Sequence, residues 1–154
     1  MSVPDAVALR AARHPEAVAV SGVGEQLTYR QLCDLADEVA GALTGLGTGA
    51  EGGVGVLVGR SAAQVTVSVA ALRAGAAYVP LDPRWPTARL SRVAEVAALC
   101  VVIVDETTRS HPWVRQLGCD VAVLTVDAAG RVRHGGPAGP GPSPLSRAAP
   151  GSRT

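Results

Sequence analysis

The groups with which this chain could do chemistry are thirteen acids, three histidines and three cysteines. Asp105 and Glu106 stand side by side after an apolar run. They form a carboxylate pair at a strand end, where α/β sites tend to lie. The same pair is also an ordinary helix start, stabilised by the helix dipole, and that is the reading adopted here. His14, His111 and His134 are far apart, and none has a Cys, Asp or Glu at metal-ligand spacing, so surface or turn roles are expected. Cys33, Cys100 and Cys119 form no CxxC and sit in apolar surroundings, as small core residues do. Gly47 to Gly52 (GTGAEG) matches GxGxxG. A helix precedes it and a strand follows, the reverse of the order that would aim amides at a phosphate, so it reads as a helix C-cap and loop. No residue is assigned a catalytic, cofactor-binding or metal-binding role. All 14 cations are arginine, and the chain has no lysine.

The elements that must position these groups follow from periodicity. Residues 4–13 can form an amphipathic helix with Val3, Val7, Leu9 and Arg10 on one face. A strand over Ala17–Ser21 and a hairpin arm over Glu25–Leu27 flank a glycine turn. Thr28–Gln31 has the capping-box pattern, and Leu32, Leu35, Ala36, Val39, Ala40 and Leu43 keep helical period to Gly45. Val54–Val58 is continuously apolar, as in a strand covered on both faces. Ser61–Gln64 offers a second capping box, and the helix it opens runs to Gly75. Further on, Tyr78–Leu81, Leu99–Val104 and Val121–Val126 read as strands, separated by helices from about Pro86 and through Trp113–Leu117. Repeated helix–strand units predict an α/β fold with a largely parallel sheet flanked by helices.

Four segments carry a resemblance. Leu72–Asp82 (LRAGAAYVPLD) is similar to the second core motif of the amino-acid adenylation domains of nonribosomal peptide synthetases, members of the AMP-forming synthetase and ligase superfamily. Leu27–Leu32 (LTYRQL) resembles their first core motif, Val54–Ser61 (VGVLVGRS) their strand-then-Arg-Ser segment, and Asp82–Leu90 (DPRWPTARL) their DPxYPxxRL stretch, with Trp85 where Tyr is usual. Together they cover roughly residues 14–105 in family order. His14-Pro15 resembles the family's entry turn. The chemistry of the best motif is backbone chemistry. Gly75 can adopt the left-handed conformation that ends a helix, Pro80 fits at a strand end, and Asp82 starts a turn. Tyr78 and Trp85 are expected as packing anchors. Two departures stand out, Val96-Ala-Ala-Leu99 where the family has Asp-Ser-Gly-Ala, and Gly52-Gly53 where it has an acid. Both fit relaxed selection as readily as a new role.

The resemblance implies ATP, magnesium and an aminoacyl-AMP product for the parent family. The family's phosphate loop ending in Pro-Lys-Gly, its later nucleotide and amino-acid motifs, and both of its functional lysines have no counterpart here. The expected function is therefore that of an N-terminal piece of an adenylation domain, incompetent alone, with no cofactor held by this chain. The alternative is a non-catalytic binding module or degenerate remnant. Expected partners are the remainder of an adenylation domain or a synthetase accessory protein.

Composition excludes other classes. A net charge of +1 argues against a nucleic-acid footprint or a polybasic membrane patch. With no leader and no run of about 20 apolar residues, a cytoplasmic protein is expected. Aromatics are 3% with no Phe, so the core must be Val, Leu and Ala. Residues 1–129 are expected to form the truncated adenylation subdomain. Residues 130–154 hold five Pro, six Gly and four Arg with no acid, and are expected to be a disordered tail. Loss of a reading frame is the expected origin of that stretch.

Overall fold

The computed structural model describes residues 3–22, 25–46, 52–118 and 120–137. Helix α1 (Val3–Arg13) leads into a two-stranded antiparallel sheet, β1 (Val18–Gly22) with β2 (Glu25–Thr28). Helix α2 (Tyr29–Gly45) starts where the sequence places it. Thr28 Oγ1 accepts the Gln31 amide, and Gln31 returns its side-chain oxygen to the Thr28 amide. The main sheet then alternates with helices: β3 (Gly53–Leu57), α3 (Ala62–Arg73), β4 (Ala77–Pro80), α4 (Thr87–Val96), β5 (Leu99–Val104), α5 (Pro112–Gln116), β6 (Ala122–Val126) and β7 (Val132–Pro137).

The sheet order is β4-β3-β5-β6-β7, with every pair parallel except β6 with β7. The chain runs from β3 outward to β4, then crosses back to pair β5 on the other side of β3. Alternate strand residues feed two cores. Val54, Val56, Val101, Ile103 and Leu124 meet α2 and α3 through Val39, Leu43, Val67 and Ala70. Leu57, Val102 and Val104 meet Leu90 and Trp113 from α4 and α5 on the opposite face. Both faces of β3 are thus covered, and all five of its residues are buried. Its two glycines serve this packing. A Cβ on Gly55 would lie 2.8 Å from Leu99 Cδ1 and 2.9 Å from Leu81 Cδ1. Leu81 and Leu99 fill the space that side chains on β3 would otherwise take.

Three expectations need correction. The tail boundary at residue 130 is wrong on its N-terminal side, because Val132–Pro137 pairs in register with β6 from Val126↔Val132 to Ala122↔Pro137. An edge strand is held chiefly by backbone pairing, so its poverty in apolar side chains misled the reading. Residues 138–154 lie outside the described residues. Ser61–Gln64 is not a capping box either: Ser61 makes no side-chain cap bond, and its hydroxyl is buried without a partner. Leu9, placed on the buried face of α1, is exposed.

Candidate functional site

The segment Leu72–Asp82 builds the seam between α3 and the sheet edge. Gly75 has φ +79°, the left-handed region that an L side chain rarely adopts. Around it the Ala76 amide donates to Ala71 O at 3.0 Å and the Gly75 amide to Leu72 O at 3.1 Å. That pair of reversed bonds is a Schellman closure, and it satisfies carbonyls that the helix end would leave open. Arg73, in the last turn, reaches across to pair with Asp37 of α2. Strand β4 follows at once, with Tyr78 packed against the α2–α3 core. The Leu81 amide donates to Val56 O at 3.0 Å, so Val79 and Leu81 turn their backbone groups toward β3. By alternation Pro80 faces the open edge, where its missing N–H leaves no donor unpaired.

Beyond the strand, Asp82 organises the turn. Its carboxylate accepts both Nε and Nη2 of Arg84 and the Arg84 amide at 2.8 Å, and these bonds hold its pKa below the ordinary carboxylate range. Arg89 stacks on Trp85 with 4.2 Å between guanidinium carbon and ring centre. The Trp85 ring itself packs on the α4–α5 core, so it is an anchor as expected.

At the carboxyl ends of β3 and β5 lies the point where the chain reverses direction across the sheet, the usual place for a ligand in such folds. Two structures fill it. The first is Asp105, which is 6% exposed. Its Oδ2 accepts the Gly59 amide at 2.8 Å, and its Oδ1 accepts the amides of Thr107 at 2.9 Å and Thr108 at 3.1 Å and the Thr107 hydroxyl at 2.6 Å. Thr108 adds a hydroxyl bond to Leu57 O. Burial opposes ionisation of Asp105, but the bonds from Thr107, Gly59 and Thr108 outweigh it, and the net effect lowers its pKa. Asp105 therefore ties the β3 exit to the β5 exit. The expected helix start is corrected: residues 106–110 form turns, and Glu106 pairs instead with Arg109 at 3.3 Å on the surface.

The second is the turn between β6 and β7, which sits on the N-terminus of α3. The Ala63 amide donates to Ala128 O at 2.9 Å, and Thr66 Oγ1 donates to Ala129 O at 2.8 Å. Asp127 Oδ1 holds the turn by accepting the amides of Ala129, Gly130 and Arg131. Gly130 has φ +101°, and a Cβ there would stand 2.5 Å from Thr66 Cβ. The turn does the work expected of the Ser61 side chain.

The remaining candidates are dispersed. His14 lies in the turn after α1, with its amide on Arg10 O. His111 caps α5 through Nδ1, while its Nε2 lies 2.8 Å from Pro83 O. The side chain of His134, all of Cys119 and residues 47–51 of the glycine-rich match lie outside the described residues. Cys33 and Cys100 are half-buried free thiols, and burial pushes Cys100 up. Among the described residues no three of His, Cys, Asp and Glu gather as metal ligands. An open groove of about 540 Å³ between α1 and α2 is lined by Ala8, Ala12, Cys33, Asp34, Asp37 and Arg73.

The family model described as AMP-binding enzyme matches residues 7–144. This chain belongs to that family. It corresponds to the N-terminal part of an adenylation domain of the nonribosomal peptide synthetase kind. It is 40% identical over 97 residues to tyrocidine synthase 3 of Brevibacillus parabrevis, a match covering 63% of this chain and 2% of the relative. With phosphinothricin tripeptide synthetase PhsC of Streptomyces viridochromogenes it shares 33% over 117 residues, 76% of this chain and 10% of the relative. Among solved structures, a variant of the nonribosomal peptide synthetase FmoA3 superposes with a TM-score of 0.74 at 28% identity, over 81% of this chain and 13% of that one. IdnL7 gives a TM-score of 0.68 at 38% identity over 79% of this chain and 24% of that one. The chain thus spans a small part of the length of the proteins it matches.

Proposed function

We propose that this chain is the structural front section of an amino-acid-activating adenylation domain, and that it presents no group of its own to ATP, magnesium or the amino acid. In the whole domain, the carboxylate of an amino acid attacks the α-phosphate of ATP, giving aminoacyl-AMP and pyrophosphate. The role of this section is to hold the parallel sheet and its helices in place. Its partner is the remainder of an adenylation domain, and its compartment is the cytoplasm. Among the described residues no helix is long and apolar enough to cross a membrane.

One observation carries the reading: the Ala63 amide and the Asp105 carboxylate at the reversal point of the sheet are bonded within the chain, and of the described side-chain groups there only the Ser61 hydroxyl is buried without a partner. The Ala63 amide, at the helix end where a phosphate would be cradled, is bonded to Ala128 O. The Asp105 carboxylate, the acid placed to hold a cation, is bonded by Gly59, Thr107 and Thr108. These residues do not fit a nucleotide phosphate or a magnesium ion. The test is equilibrium binding of a non-hydrolysable ATP analogue with magnesium to the full chain. No saturable binding is expected up to millimolar ligand. Saturable binding that weakens in Asp105→Asn would contradict the reading.

One observation favours the second reading, a self-standing module without ATP chemistry. One edge of the main sheet is a short strand, β4, that carries Pro80, a device by which isolated sheets avoid edge-to-edge association. A cooperative melt of the full chain as a monomer would fit that reading. Aggregation on purification would count against it.

A further inference from the structure

His111 is the one histidine side chain in the described residues that bridges two segments through both ring nitrogens. Nδ1 accepts the Trp113 amide at 3.0 Å and caps α5. Nε2 lies 2.8 Å from Pro83 O, a carbonyl, which has no hydrogen to give. The two contacts fix the tautomer: the hydrogen is on Nε2, and Nδ1 carries a lone pair. Pro83 belongs to the turn that follows β4, so the ring ties that turn to the start of α5. We propose that His111 is a proton-operated latch between the Asp82–Pro86 turn and α5.

Protonation places a hydrogen on Nδ1, where the Trp113 amide already points its own. The two donors cannot share the position, so the cap opens. The Nε2–H bond to Pro83 O survives in principle, but the ring must turn away from Trp113 to relieve the clash, and it cannot then keep both contacts. The acids on the turn and in the segment before His111 are already bonded. On the turn, Asp82 is taken by Arg84 through three bonds. In the segment before His111, Asp105 is bonded by Gly59, Thr107 and Thr108, and Glu106 is paired with Arg109. On α5 the nearest charge in sequence is Arg115, whose amide donates to His111 O. Helix α4, packed against α5, carries Arg89, Arg92 and Glu95. Trp113 is the reporter: it is 1% exposed, and its indole N–H donates to Ser91 Oγ of α4 at 3.1 Å.

The test is amide hydrogen exchange at Trp113 in the full chain between pH 7.5 and 5.5, corrected for the intrinsic pH dependence of exchange. Histidine ordinarily changes charge across this range. The corrected rate at Trp113 is expected to rise about fivefold on acidification, the size of one lost helix cap. Amides of β5 should not follow. His111→Asn keeps an oxygen acceptor for the cap and removes the titration, so its Trp113 rate is expected to be flat with pH. A flat rate in the native chain overturns the latch. So does the same rise in His111→Asn, since the proton would then act elsewhere. If His111→Asn does not fold, His111→Gln is measured in its place, and a nitrogen-15 titration of the His111 ring reports directly whether Nδ1 gains its hydrogen as the Trp113 amide opens.

Discussion

Ala98 shows how a single residue departs from what its position asks. It follows α4 with φ +53°, the only non-glycine positive φ among the described residues, and its carbonyl accepts the Gly53 amide at 3.2 Å. The left-handed region costs a residue with a Cβ about 1–2 kcal/mol. Ala98→Gly should therefore stabilise the protein by up to about 1 kcal/mol, because the released strain is partly offset by the greater freedom of glycine when unfolded. Thermal melts read this, and an unchanged or lower Tm would refute the strain. The opposite change at Gly75, to Val, should cost more than about 1 kcal/mol for the same reason. Gly52 belongs to the other departure from the family pattern. A Cβ there would lie 2.5 Å from Cys100 Sγ, so a side chain at this position needs the Cys100 thiol to turn aside.

The acid at the sheet's reversal point has a pH consequence. The pKa of Asp105 is lowered on folding, so its contribution to stability is complete above the unfolded value of about 3.9 and is lost as pH falls through the folded value. Urea midpoints of the native chain should fall between pH 6 and pH 3 by more than those of Asp105→Asn. Equal falls would mean that the carboxylate does not bind its amides as the ionised form. Much at this scale was legible in sequence. Gly75, Pro80 and the Thr28–Gln31 box are recognised by their own residue types, because the constraint is local. Asp105 was not, because its partner Gly59 is forty-six residues away and no local pattern announces it.

Among the elements, the β6–β7 hairpin is where sequence reading failed most usefully. Val132–Pro137 (VRHGGP) has the composition of a tail, yet it pairs along β6, and its turn caps α3. The strand is specified by its neighbour rather than by its own side chains. The cap is equally hidden, since the Ser61–Gln64 pattern points to a local solution that the fold does not use. Gly130→Ala would combine a positive φ with a clash against Thr66, so it should destabilise the protein by about 1–3 kcal/mol. It should also speed amide exchange at Ala63. Normal exchange at Ala63 together with a normal Tm would show that the turn does not cap α3. By contrast Leu99–Val104 was bounded correctly from sequence, because a strand buried on both faces is continuously apolar.

On the scale of the whole molecule, the fold places two apolar cores on either side of a mostly parallel sheet, and it uses Asp105 and the Ala63 amide at the reversal point to hold the chain together. A similar fold occurs in the nonribosomal peptide synthetase FmoA3 and in IdnL7, chains several times longer. The fold class was readable from the alternation of helices and strands and from four motif segments. The reversal point was only half readable, since Asp105 is visible at a strand end in the sequence but its bond from Gly59, and that of the Ala63 amide to Ala128, are not. The central claim is that this chain contributes architecture and no chemistry. The measurement that tests it most directly is amino-acid-dependent ATP–pyrophosphate exchange with three samples: the full chain alone, the remainder of a related adenylation domain alone, and the two mixed. The account predicts no exchange from the full chain alone, above a heat-killed control, and exchange in the mixture above that of the remainder alone. Exchange by the full chain alone, or a mixture no more active than the remainder, would contradict it.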